Sequence, residues 1–540
     1  MNFELPDTGT EQPPAFLTAI ACQDWLATVP LANAIQAQSM FLRQLNLLHR
    51  YTLAATTRFA ILEAMLGPIC AAQEDVAKKF VGRPLPFSPP EQSALESTLA
   101  VWQALASGYL RCFDTCRDGE EIDAQAALVA QRTLAVYTDW QVTLCQGEQL
   151  PDAAYWKRLH RIFAVVERKK LATIVVNDPV RHGSTPTRPL AAYAECHLLH
   201  TASPFELPAR HLSWIARWAR RWGSKIVMFS APPDDIRNRA APLWIDLDSS
   251  NPAGYSPKPS TGGRWLDTTE LRKSLTVRIA MLEKGRAPAE VQLGDDVTQP
   301  AAGQLLARVL TRWCKGGVSR RHERRSASGV CRFIAGFDAV HFHLSGGESF
   351  KTTDRSDQTL RREREEFEIF GERSHRNEAA SSLADSVPME NWEIMDDWNL
   401  LDRSISGLRI SRPLKRGVRV GAGLLVAINQ ANDKNFSLGN VRWALREEGD
   451  SLSAGIQLFP GNPRAVKIRP AERDAVGQYR PGFLLPADRH LEEPPSIVVP
   501  VGTFRIGRQI DMLHEGQVLC IKLSHVLDRG AEFERCAYEA

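Results

Sequence analysis

Two short stretches carry side chains suited to holding an anionic ligand. In "WNLLDRSISGLRISRP", residues 398–413, Asp402, Ser404 and Gly407 set a carboxylate, a hydroxyl and a glycine in the pattern Asp-x-Ser-x-x-Gly. In "SRRHERRSASGVCRF", Arg320 and Arg324 are separated by three residues, and so are Arg321 and Arg325. An arginine fork grips an oxyanion in two places, a carboxylate accepts from N–H donors, and a hydroxyl does either job. The plain alternative is a turn: Asp-x-Ser bonds nearby backbone N–H groups, and an arginine cluster is usually a solvated surface. Arginine spacing alone does not decide, because "RWARR" (217–221), "RPLKR" (412–416) and "RWALR" (442–446) satisfy it too. Position does: the 320–325 copy directly precedes a strand-rich region whose next conspicuous turn holds Asp402.

The elements that must position these residues read as follows. From about residue 20 to 150 the apolar spacing is helical, with Phe41, Leu45 and Leu48, then Trp102, Leu105 and Tyr109, each at i, i+4, i+7. Gly67-Pro68 and "GRPLPFSPPEQS" are expected to break that run, the second ending in a helix start. Residues 151–315 mix helical stretches ("YWKRLHRIFAVVER", "RHLSWIARWARRWGSK") with strands ("KIVMFSA", "APLWIDLDS"). After residue 325 strands dominate. "AVHFHL" alternates Val340, Phe342 and Leu344 with His341 and His343, and "GLLVAI", "LGNVRWAL" and "SAGIQLF" follow at the spacing of a small antiparallel barrel. A charged stretch over about 346–390 reads as an insertion in a strand connection. A second strand-rich unit fills 466–540, with "FERCAYEA" as a last edge strand.

With its barrel strands, this pairing of motifs resembles the PilZ domain, a small β-barrel that binds cyclic di-GMP. Family members place Arg-x-x-x-Arg at the entry to the barrel and Asp/Asn-x-Ser-x-x-Gly on a following strand. The resemblance covers roughly 318–465, and the whole arrangement looks like a large multidomain bacterial PilZ protein. It implies a multidomain α+β chain: a helical module over 15–150, a mixed α/β domain over 151–315, a PilZ-like antiparallel barrel over 318–465, and the strand-rich unit. It also implies ligand-binding roles for Arg320, Arg324, Asp402, Ser404 and Gly407, with Arg321 and Arg325 as the alternative register. Cyclic di-GMP offers two phosphodiester anions and two guanines. Arginine can grip a phosphate or bond guanine O6 and N7, and glycine permits positive φ and close ligand approach.

Composition sets the bounds. At 540 residues the chain is too long for one core, and 44% hydrophobic with 24% charged residues is globular. Net charge is +3 from 66 basic and 63 acidic residues, so any anion site is local and nucleic acid is not an expected partner. The ten cysteines contain no Cys-x-x-Cys, and Cys112 and Cys116 fall on one helix face as small hydrophobes. The start of the chain lacks the pattern of a signal peptide and no apolar run is long enough to span a bilayer, which predicts a cytoplasmic protein without a membrane span. His197 with His200, and His341 with His343, complete no metal-ligand pattern. No nucleophile–base motif appears, so the expectation is a non-enzymatic receptor without cofactor, in which cyclic di-GMP reorients a helical module that binds a protein partner. The alternative is a ligand-free scaffold for protein–protein interaction.

Overall fold

The computed structural model describes the chain apart from residues 1–2, 4, 6–7, 10–11, 117–119, 234–237, 318–322, 348–394, 415–416, 431–434, 448, 472–478, 489–491, 515 and 540. Arg320, Arg321 and nearly all of the expected 346–390 insertion therefore lie outside the described residues. Two compact units result: Met1–Arg321 with Leu445–Gly449, and His322–Ala444 with Asp450–Ala540.

The first unit opens with helices α1 (Ala19–Leu26), α2 (Ala34–Arg50), α3 (Ala55–Ala77), α4 (Pro89–Asp114), α5 (Ala126–Gln146) and α6 (Ala153–Arg168). Phe41, Leu45, Leu48, Trp102, Leu105 and Tyr109 are all buried, so the helical spacing does face a core. The Glu91 carboxylate accepts from the Ser88 N–H at 2.7 Å and fixes the start of α4 where the Ser-Pro-Pro-Glu signal puts it. Gly67-Pro68 does not break a helix: Pro68 lies inside α3. It forfeits one backbone bond, while Met65, Leu66, Ile69 and Ala72 around it stay buried, and that packing outweighs the loss.

The same core continues through α7 (Pro179–His182), α8 (Pro189–Thr201), α9 (Ala209–Trp222), the antiparallel strands β1 (Val227–Phe229), β2 (Leu243–Asp246) and β3 (Gly263–Asp267), and helices α10 (Thr269–Glu283) and α11 (Ala301–Cys314). His197 and His200 pack against Trp156, and His197 stacks on His160 with centroids 5.5 Å apart. A carbonyl can only accept, so His160 Nε2–H donates to Asn251 O (2.7 Å) and its Nδ1 accepts from the Tyr193 hydroxyl (2.7 Å). His197 Nδ1 accepts from the Ala253 N–H at 3.2 Å. The two imidazoles thus pin residues 251–253 onto α6 and α8 as neutral rings. Cys112 and Cys116 are buried, and burial pushes both thiols up to about 12.

In the second unit, β5 (Val330–Ala335), β6 (Asp396–Ser404), β7 (Gly407–Pro413), β8 (Leu425–Gln430), β9 (Ser437–Glu447) and β10 (Ser451–Leu458) run in the order β6-β5-β8-β9-β10-β7, and pairing of β7 with β6 closes the barrel. The two-residue strand β4 (Arg325–Ser326) pairs with the end of β6. "AVHFHL" is not a strand but part of helix α12 (Phe337–Leu344). Phe337, Val340 and Leu344 also fit i, i+3, i+7, and Gly336, at φ 96°, ends β5 and lets the chain turn into the helix.

A second closed barrel follows, β11 (Arg464–Pro470), β12 (Arg480–Leu485), β13 (Ser496–Pro500), β14 (Gln509–His514), β15 (Gln517–Arg529) and β16 (Phe533–Glu539), ordered β11-β12-β13-β16-β15-β14. The terminal "FERCAYEA" is no edge strand: β16 pairs with both β13 and β15, because closure leaves no edge. The two barrels share an apolar core in which Ile334, Phe337, Val340, Leu425 and Phe459 meet Phe483, Leu485, Val498 and Phe533.

The buried histidines generate a pH dependence. Burial lowers His197 and His160 and brings His200 down to about 4. Folded values below the unfolded one mean that stability is fully present above about pH 6.5 and is lost as pH falls toward 4, because the unfolded chain takes up protons that the fold excludes. The thermal midpoint followed by circular dichroism is expected to drop between about pH 7.5 and about pH 5 at constant ionic strength. A flat profile would contradict the assignment of buried neutral imidazoles.

Candidate functional site

The two sequence-distant motifs meet on β6. One edge of β6 pairs with β7, and the other is divided between β5, along Asp396–Asn399, and β4, at Asp402 and Arg403. Between the two partners on that divided edge, residues 327–329 face only Leu400 and Leu401, with Ala327 N–H bonded to Leu401 O and Leu400 N–H to Gly329 O. On the β7 edge the register also shifts by one: Leu400 pairs with Ile410 and Asp402 with Arg409, leaving Leu401 as the bulged residue.

These registers sort the arginines. Ser326 lies opposite Asp402, so Arg324, two residues earlier, emerges on the same face. Its Nη1 stands 2.9 Å from Asp402 Oδ1, with the two side chains 26% and 22% exposed. Arg325 instead lies opposite Arg403 on the other face, away from Asp402. Of the two registers left open by sequence, the described member on the Asp402 face is Arg324.

Ser404 and Gly407 close the β6–β7 hairpin around Ile405-Ser406, and the Ser404 hydroxyl donates to Gly407 O at 3.3 Å. The reason for glycine at 407 differs from the one expected. It is not among the residues with positive φ, and what a side chain would meet is protein backbone: a Cβ would lie 2.6 Å from Ile456 O on β10. Gly407 therefore allows β7 to approach β10.

Two residues escaped the sequence reading. Arg409 on β7 lies directly opposite Asp402 on one side and Gly455 on the other. A Cβ at Gly455 would meet the Trp443 indole at 2.1 Å, so the ring from β9 lies over that glycine. Asp402, Arg409, the bare Gly455 and Trp443 thus form a row across four strands on the outer face, spanning roughly 14 Å at normal strand spacing. No motif spacing announces such a row, since only the register assembles it.

The other Arg-x-x-x-Arg copies have structural partners. Arg412 pairs with Asp396 at 3.2 Å, donates to Val418 O and covers the Trp398 ring. Arg217 pairs with Asp296 at 2.7 Å, and Arg442 stands 3.9 Å from Asp528. Among the described residues, no three His, Cys, Asp or Glu side chains gather in a way that would hold an ion.

Comparison with known proteins agrees with this architecture. Three family models match the chain: the N-terminal domain of the cyclic-di-GMP receptor FimW over residues 20–232, its middle PilZ domain over 252–399, and the FimW C-terminal beta-barrel domain over 465–540. The last coincides with the β11–β16 barrel. The middle match contains the arginine segment and stops within β6, just short of Asp402. The chain is a multidomain PilZ protein. It is similar along most of its length to the cyclic-di-GMP receptor FimW of Pseudomonas aeruginosa, at 19% identity over 528 aligned positions covering 91% of this chain and 86% of the relative.

The Gly407 contact yields a direct check. Gly407→Ala drives a methyl group into the β10 backbone and is expected to cost about 1–3 kcal/mol of stability, as overpacking does. Urea unfolding would show a lower midpoint with an unchanged slope. Full stability in the variant would mean that the close approach is not what glycine provides there.

Proposed function

We propose that this protein is a receptor for cyclic di-GMP that binds the nucleotide on the outer face of the PilZ barrel and acts without catalysis. The observation that supports this most is the 2.9 Å approach of Arg324 to Asp402 across 78 positions of sequence, on the strand pair where the PilZ resemblance implies a ligand. Both side chains still reach solvent, so an incoming oxyanion can compete with the carboxylate for the guanidinium.

Each side chain has a role that its chemistry allows. The Asp402 carboxylate accepts from guanine N–H donors. The Ser404 hydroxyl, held by a long bond to Gly407 O, turns to a base edge or a phosphate oxygen. Arg324 trades Asp402 for a phosphodiester or for guanine O6 and N7, which a planar fork can bond in two places. Arg320 is the family's first arginine by position. The indole of Trp443 offers a surface for base stacking.

The same reading gives the effector step. The chain first passes from one compact unit to the other between Arg321 and His322, within the arginine segment. A ligand that clamps this segment to the barrel changes the arrangement of the helical module to the extent that it binds one arrangement better than another. A cytoplasmic setting fits the ten unbridged cysteines, and no helix among the described residues is long and apolar enough to cross a membrane.

Isothermal titration of the full chain with cyclic di-GMP tests the proposal. Saturable binding is expected, and Arg324→Ala and Asp402→Ala should each weaken it by about 1–3 kcal/mol, the usual cost of a charge-assisted hydrogen bond. Absence of saturable heat at high micromolar ligand overturns it.

A further inference from the structure

The geometry points to Arg409 as a further ligand-contacting residue, one that grips a phosphodiester of the bound nucleotide from the β7 side of Asp402. This rests on the receptor reading above. Three observations carry it.

The first is the pair of irregularities in the register of β6. On the β7 edge, regular pairing continued from Leu400–Ile410 would set Leu401 opposite Arg409, but the bulge sets Asp402 there instead. On the other edge, pairing continued from Val330–Asn399 would set Ser326 opposite Arg403, but the extra residue in 327–329 sets Ser326 opposite Asp402 and so brings Arg324 to its face. Both departures place the same carboxylate between two arginines. A register break weakens local pairing, and such breaks gather where a side chain has to be re-aimed.

The second is charge. Arg324 and Asp402 neutralise one another, so alone they offer no net attraction to a ligand with two phosphodiester anions. Arg409, on the same outer face and directly across from Asp402, brings a second guanidinium to that carboxylate's side.

The third is space. The β10 neighbour of Arg409 is Gly455, whose place above the strand is taken by the Trp443 ring. Arg409 therefore stands between a carboxylate and an indole, with no side chain from Gly455 to crowd it. A ligand reaching from the acceptor at Asp402 to the ring at Trp443 has to cross Arg409. The guanidinium plane suits that place, because it bonds two phosphate oxygens while its faces tolerate an aromatic neighbour.

The rival account is that Arg409 only holds Asp402 in place as its cross-strand partner. Calorimetric titration of the full chain with cyclic di-GMP separates the two, using Arg409→Ala, Asp402→Asn and the double variant. Direct contact predicts that Arg409→Ala lowers affinity about tenfold, and lowers it again by a similar factor in the Asp402→Asn background, with Arg409→Lys restoring only part. Should Arg409→Ala melt early, Arg409→Gln carries the same expectation. Unchanged affinity in Arg409→Ala, or a loss that vanishes once Asp402 is asparagine, overturns the inference and leaves the receptor reading standing. Failure of the unaltered chain to bind removes both.

Discussion

The second unit depends on one strand serving three partners. β6 closes the barrel through β7 and pairs with β5 at its start, yet its last residues lie beyond β5 and pair with β4. Pairing is uniform along neither edge: the β7 ladder skips Leu401, and on the opposite edge residues 327–329 span only Leu400 and Leu401. The mismatch is absorbed at Leu400–Leu401. Everything distinctive about the outer face follows from that adjustment: which arginine reaches Asp402, which is turned away, and which lies across the hairpin.

The same strand sets two copies of one arginine spacing in two different environments. Arg412 is nearly buried and lies over the Trp398 ring, and its partner Asp396 sits at the regular start of β6. That is a brace for the barrel wall, paired, stacked and bonded to backbone as a desolvated charge must be. Arg324 meets its carboxylate at the irregular end of β6, where both side chains still touch solvent. One pair is nearly shut off from solvent, and the other is not.

Much of this was readable from the chain. The helical stripes around Phe41 and Trp102, the start of α4 at Ser88 and most strands of both barrels follow from periodicity and turn residues. Where reading failed, the cause was local ambiguity settled by tertiary contact. Phe337–Leu344 fits two periods, and burial of Phe337 and Val340 selects the helical one. Pro68 reads as a breaker until the packing around it is counted, and β16 reads as an edge until the barrel closes. Arg324, Asp402, Ser404 and Gly407 could be picked out by type, but the reason for Gly407 could not, since Ile456 lies far along the chain. Arg409 and Trp443 were invisible for a similar reason: their significance depends on a one-residue bulge and two further strand pairings.

The apolar seam shared by the two barrels has a consequence for how such a protein can change over generations. Phe459, Phe483 and Phe533 pack in this seam, and α12 contributes Phe337 and Val340 to it. The Leu425 N–H donates to Glu532, and the Gly423 carbonyl accepts from Ala531, so polar contacts cross it as well. A gene truncated after the first barrel would encode a domain with a bare greasy flank, and recombination at that junction would bring together mismatched halves. Change is therefore more readily accommodated in the loops between strands than at the boundary between the barrels.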